Sequence, residues 1–219
     1  MARRDPVRNT YEEFPDELKE ILKASKDERE QKPTARSSRS TLLHDHEWHL
    51  NFLKQGALPP RNLVLPPPYP PSRRTSSHTQ SVQIQDLRVE SRTINQLMLV
   101  RTITEPYVYS SSVTIVEDEA GDAARLTICN LEDSWVDPIL SEGSILAIRQ
   151  PCWTKTSGEG YHIRIDHPSD LEILDSADEM VPLPWRKNNE TVANEDVTTW
   201  KKEGDKMFLM KKFRRALEL

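Results

Sequence analysis

Ser112-Val113-Thr114-Ile115-Val116-Glu117-Asp118-Glu119-Ala120-Gly121-Asp122-Ala123-Ala124-Arg125-Leu126-Thr127-Ile128-Cys129 reads as two short apolar runs on either side of a polar turn. Val, Thr and Ile dominate both runs, and their branched, stiff side chains suit a pleated strand. Asp118 to Asp122 is the hairpin connection, because Gly121 supplies a positive φ at little cost. Outward from this pair, similar runs at 94–104, 144–149 and 160–165, with a coda at 170–174, predict further strands between turn residues such as Glu142-Gly143. The stretch 132–141, with Trp135, Ile139 and Leu140, is too apolar for a plain loop and is expected to form a helical turn capping one end of the sheet. Three strands, a connection and two more strands is the order of an OB-like β-barrel, which removes its edges by closure. An open β-sandwich fragment is the second choice. The fold class expected is mainly β with flanking helices.

The remainder of the 219 residues divides by composition. Residues 1–58 read as an arm, partly helical and otherwise disordered. One helix is expected from Thr10 and Glu13, which have capping-box spacing, through Phe14, Leu18, Ile21 and Leu22 to about Lys32. A second runs from about Ser40 to Gln55, with Leu43, His46, Leu50 and Leu53 on one face and Gly56 closing it. Residues 59–81 form a linker whose Pro66-Pro67-Pro68-Tyr69-Pro70-Pro71 run fixes an extended spacer. The β body spans 82–186, a polar linker 187–194, and residues 195–219 regain helical character.

Charge is distributed unevenly. Residues 1–80 carry 14 Lys/Arg against 11 Asp/Glu, residues 81–186 carry 8 against 18, and residues 187–219 carry 8 against 6. The β body is therefore acidic at −10 and repels phosphates, so nucleic acid is a poor partner. A single-strand binder stacking bases on Tyr107, Tyr109, Trp153 and Tyr161 is kept as a weaker alternative. No long apolar run or secretory leader is readable, and two cysteines make no disulfide framework, so an intracellular setting, cytoplasmic or nuclear, is expected without membrane contact.

Trp200-Lys201-Lys202-Glu203-Gly204-Asp205-Lys206-Met207-Phe208, with Phe213 and Ala216, resembles the start of a tetratricopeptide repeat. Trp, a small residue four positions on and an Ala in the second helix meet that pattern, in which neighbouring repeats bury one another's apolar faces. Trp200, Gly204, Met207, Phe208 and Ala216 are thus the candidate protein-interaction residues, on a stub expected to fray, pack on the barrel or associate with another chain. Together with Glu117, Asp118, Gly121, Asp122, Gly143, the run Asp166-His167-Pro168-Ser169-Asp170, and Trp185-Arg186, it resembles the N-terminal region of large fungal proteins that combine tetratricopeptide repeats with a SET domain. That resemblance spans roughly residues 60–219. It implies lysine methylation with S-adenosylmethionine where a SET domain is present.

Other constellations read structurally. His44, His46 and His49 are expected on a solvated helix face rather than around a metal, and Cys129 and Cys152 as buried free thiols. Glu117, Asp118, Glu119 and Asp122 suggest a solvated hairpin tip, not a calcium loop. Asp166 and Asp170 are expected to brace the closing strand, and the Trp185 indole to lie under the Arg186 guanidinium. Gly158-Glu159-Gly160 reads as a turn rather than a cofactor loop, and no cofactor is expected. Arg73-Arg74-Thr75-Ser76 offers Ser76 to a basophilic kinase. The function expected is a non-catalytic protein-interaction adaptor. The alternative is the regulatory front end of a SET-domain lysine methyltransferase.

Overall fold

The computed structural model describes residues 16–56, 67–72, 79–92, 94–131, 137–156, 160–186 and 197–209. Two helices, α1 (Asp16–Asp27) and α2 (Arg39–Lys54), precede nine strands. These are β1 (Gln80–Ser81), β2 (Gln96–Thr102), β3 (Tyr107–Val108), β4 (Ser111–Glu117), β5 (Ala123–Cys129), β6 (Ile145–Arg149), β7 (Trp153–Lys155), β8 (Tyr161–Ile165) and β9 (Leu171–Leu174); a third helix, α3 (Val197–Leu209), follows. The molecule is mainly β with flanking helices, as its apolar patterning predicts.

The sheet order is β7-β8-β5-β4-β2-β6-β9, with β1 on β2 and β3 on β4. The hairpin β4–β5 is in one-to-one antiparallel register from Ser111–Cys129 to Glu117–Ala123. Strand β8 returns parallel to β5, an OB-like order. The path of pairing is open. One length of chain instead serves both ends: β6 pairs β2, then Gln150 turns at φ +50 and β7 pairs β8. Pro151, with no N–H to donate, falls in this break and splits what would be one strand.

Alternation sorts the side chains. Leu146 and Ile148 enter the main core with Met98, Val100, Leu126, Ile128, Ile163 and Ile165, while Ile145 and Ala147 enter a smaller cluster with Leu174, Val181 and Trp185 on the opposite face. Each fully buried aliphatic contributes about 1.5–3 kcal/mol. Helix α2 covers β4 and β5 through Leu42 and His46, and begins where the Ser38 hydroxyl accepts the Thr41 N–H at 3.1 Å.

Several expectations change. Helix α1 ends at Asp27 rather than near Lys32, because the chain beyond it bonds to the β body: Glu30 N–H donates to Val89 O at 2.8 Å, and Val89 N–H to Gln31 O at 3.0 Å. Residues 137–141 contain no helix, as Leu140 enters the core directly; residues 132–136 lie outside the description. His46 is 1% exposed, not solvated. Its Nε2 bonds to Glu105 O at 2.8 Å while its ring lies against Tyr107.

Candidate functional site

The densest polar cluster is built on the β8–β9 corner, where Ile163-Arg164-Ile165-Asp166 alternates core and partner-facing residues. Arg164 and Asp166, two apart, share a face, and Arg164 Nε donates to Asp166 Oδ1 at 2.6 Å with both side chains buried. Pro168–Asp170 forms a single 3₁₀ turn in which Asp170 N–H donates to His167 O at 2.8 Å. Asp166 and Asp170 are each 1% exposed. Burial of a carboxylate demands a cation or several donors, and Arg164 and Arg92 supply the cations, Arg92 at 2.9 Å from Asp170.

The remaining acceptor capacity is taken by residues 67–72, a strap of four prolines around Tyr69 that ends at Ser72. Tyr69 N–H donates to Asp166 Oδ2 at 3.1 Å, and its carbonyl accepts from His167 Nε2 at 2.6 Å. Its hydroxyl donates to Arg164 O and accepts from Asp166 N–H, both at 2.8 Å. Arg92 donates to Pro70 O at 2.6 Å and lies 3.8 Å over the Tyr69 ring. Ser72 N–H reaches Asp170 Oδ1 at 3.1 Å, and the Ser72 hydroxyl donates to the same oxygen. Burial holds the Tyr69 phenol above its ordinary range and so keeps it a donor. Asp166 holds β8 through Arg164, and Asp166 and Asp170 together also brace the proline strap, a contact the sequence does not announce.

Between the strap, α1 and the β body lies a cleft of about 560 Å³, lined on its polar side by Lys26, Arg29, Arg92, Arg164 and Glu90. Burial raises the pKa of Glu90. Glu28, just beyond α1, bonds to Lys155 at 2.8 Å and to the Tyr161 hydroxyl, contacts that lower its pKa.

The other candidate residues scatter. Glu117 and Asp118 are buried rather than solvated: Glu117 takes Arg101 at 2.6 Å and Arg39 at 3.1 Å, and Asp118 accepts from Ile84 N–H at 2.9 Å and Asp122 N–H at 3.0 Å. Gly121 and Gly143 hold positive-φ turns. The guanidinium over Trp185 belongs to Arg101, at 5.5 Å; Arg186 instead donates to Val181 O and Glu179 O. Trp200, Gly204, Met207 and Phe208 lie on α3, where Phe208 is exposed. Ala216 and Ser76 lie outside the described residues. Cys129 and Cys152 are free and buried. Tyr107 packs on α2 while Trp153 and Tyr161 pack elsewhere, so the four aromatics do not make one platform.

Sequence reading misses Tyr69, Ser72, Arg92 and Arg164 as functional positions. Two signals point to them: a lone aromatic inside a proline run, and a cation centred in an apolar strand, which needs a carboxylate on its own face.

No family model matches the chain. A protein of the fungus Gibberella zeae named "Methyltransferase" is 28% identical over 159 residues, covering 71% of this chain and 22% of that protein. The chain thus spans about a fifth of the relative's length. That relative corrects the expectation of a chain with no enzymatic role, since the protein it resembles is named for one. Among solved structures, Pot1pC of Schizosaccharomyces pombe bound to single-stranded DNA is 11% identical, covers 46% of this chain and 90% of its own, and has a TM-score of 0.37. A putative aspartyl-tRNA synthetase of Leishmania major is 14% identical, covers 58% and 26%, and has a TM-score of 0.32. Likenesses this slight carry no argument about function. No helix among the described residues is long and apolar enough to cross a membrane.

Proposed function

We propose that this chain is the regulatory, protein-docking front part of a SET-type lysine methyltransferase, with α3 opening a tetratricopeptide array. The observation that carries the reading is the likeness to the Gibberella zeae methyltransferase over 159 residues. The geometry supports docking: the polar cluster at the β8–β9 corner engages the main chain of an extended segment, and the acidic body suits protein rather than phosphate.

The methyl donor of such an enzyme, a sulfonium cation, does not fit the cleft beneath α1. Lys26, Arg29, Arg92 and Arg164 surround it against one carboxylate, and burial favours the neutral form of that carboxylate. No step of methyl transfer is assigned to the described residues.

The test is methyl transfer by the native gene product, using S-adenosylmethionine labelled in the methyl group and a mixed protein substrate. Label on lysine is expected. An active-temperature, folded preparation that transfers no methyl group to protein would refute the reading.

A further inference from the structure

The cluster at the β8–β9 corner engages every backbone polar group that the strap offers between Tyr69 N–H and Pro70 O, and then Ser72 N–H. Pro70 and Pro71 have no N–H to satisfy. All these contacts run from side chains of the body to the strap's main chain, with the Tyr69 ring and hydroxyl as the main side-chain element. This is how a proline-rich peptide is recognised: a pre-extended backbone, an aromatic anchor and a few aimed polar groups.

The seat is also held in place by bonds that do not involve the strap. Arg164 holds Asp166, Asn130 Nδ2 donates to Asp166 O at 2.9 Å, Asp170 N–H bonds back to His167 O, and Arg92 Nε donates to Gln150 O at 3.1 Å. A binding surface fixed in this way loses little freedom when it is filled. The strap itself joins no strand ladder.

We propose that Arg92, Asp166, His167 and Asp170 form a binding site for proline-rich peptides with the motif Tyr-Pro-Pro-Ser, occupied in cis by residues 69–72 and available in trans to a partner chain carrying the same motif. Tyr is selected because its hydroxyl both donates to Arg164 O and accepts from Asp166 N–H, which Phe cannot do. Ser is selected by Asp170. Basic residues after the motif are favoured, since Arg73 and Arg74 follow it here and the body carries −10. The cis segment competes at an effective concentration in the millimolar range, so a trans ligand needs high local concentration or a loosened strap.

The inference deepens the docking reading above and rests on it by naming the partner's chemistry. The test uses the full chain and a fluorescein-labelled peptide of residues 65–74, followed by anisotropy. Tyr69→Ala with Ser72→Ala in the chain should tighten peptide binding at least about ten-fold over the unaltered chain, and adding Asp170→Asn should reverse the gain. A peptide with Tyr replaced by Ala should not bind. Folded, strap-loosened chain that shows no anisotropy change overturns the proposal. Should the variant fail to fold, the unaltered chain with several millimolar peptide should show amide shifts at His167 and Asp170 by NMR, and their absence overturns it equally. Failure of methyl transfer would count against the enzyme reading alone; failure of peptide binding would count against this site alone.

Discussion

Arg92 gathers three parts of the chain around one guanidinium: Asp170 at 2.9 Å, Gln150 O at 3.1 Å, and the strap through Pro70 O at 2.6 Å and the Tyr69 ring. Removing its carboxylate leaves a mostly buried cation, so Asp170→Ala should cost about 3–5 kcal/mol in a denaturant titration. Arg149→Ala, which breaks the exposed pair with Glu172, should cost less than about 1 kcal/mol. Equal losses for the two would show that burial does not set the energy. Cys152 is a second buried group with a clear expectation. Burial pushes its thiol up to about 12, so iodoacetamide at mild alkaline pH should leave it unmodified until denaturant is added. Burial likewise holds the pKa of His46 below its ordinary value, and its Nδ1 has no hydrogen-bond partner among the described residues to receive a new proton. The unfolded chain binds that proton below about pH 6.5 and the folded chain only at lower pH, so stability is full above that value and falls as pH drops through the window. His162, pushed down to about 3 by burial with Arg164 and Arg125 adding, extends the window downward. His46→Asn should flatten the upper part of the melting-temperature profile.

The β4–β5 hairpin formed where its sequence predicts, because alternation and a glycine turn are local signals. Gly121 sits at φ +84 with open space around it, so Gly121→Ala meets no clash but does meet left-handed strain. Thermal melting should report about 1 kcal/mol of destabilisation without a change in circular dichroism. Strand β7 was not legible: three residues after a proline carry no periodicity, and only pairing with β8 defines them. The candidate site was half legible. Asp166, His167 and Asp170 stood out as a motif, yet their partners lie far off in sequence, Arg92 by 78 residues and Tyr69 by 97, where no local pattern reaches. For the same reason Glu117 and Asp118 read as a solvated tip. Their burial depends on Arg39, Arg101 and Ile84 arriving from elsewhere.

Across the whole molecule, three cations of the segment joining α1 to α2 and of the α2 start lie against acidic groups of the β body. Lys32 reaches Asp86 at 3.6 Å, Arg36 reaches Asp122 at 3.7 Å and Arg39 reaches Glu117 at 3.1 Å. Such exposed or half-exposed pairs are weak singly and screened by salt. Hydrogen exchange at the Glu30 and Val89 amides should therefore quicken in about 1 M sodium chloride, while exchange in β5 should not. Unchanged exchange at Glu30 would mean that these ion pairs do not dock the segment, and that its backbone bonds to Val89 and its other contacts suffice. The strap's distance from its seat has a temporal side as well. A nascent chain exposes Tyr69 97 residues before it exposes Asp166, a delay of roughly 5–20 seconds at ordinary elongation rates. Through that interval the proline segment has no seat, and once the seat forms the tethered stretch outcompetes any neighbouring polypeptide present below the millimolar range.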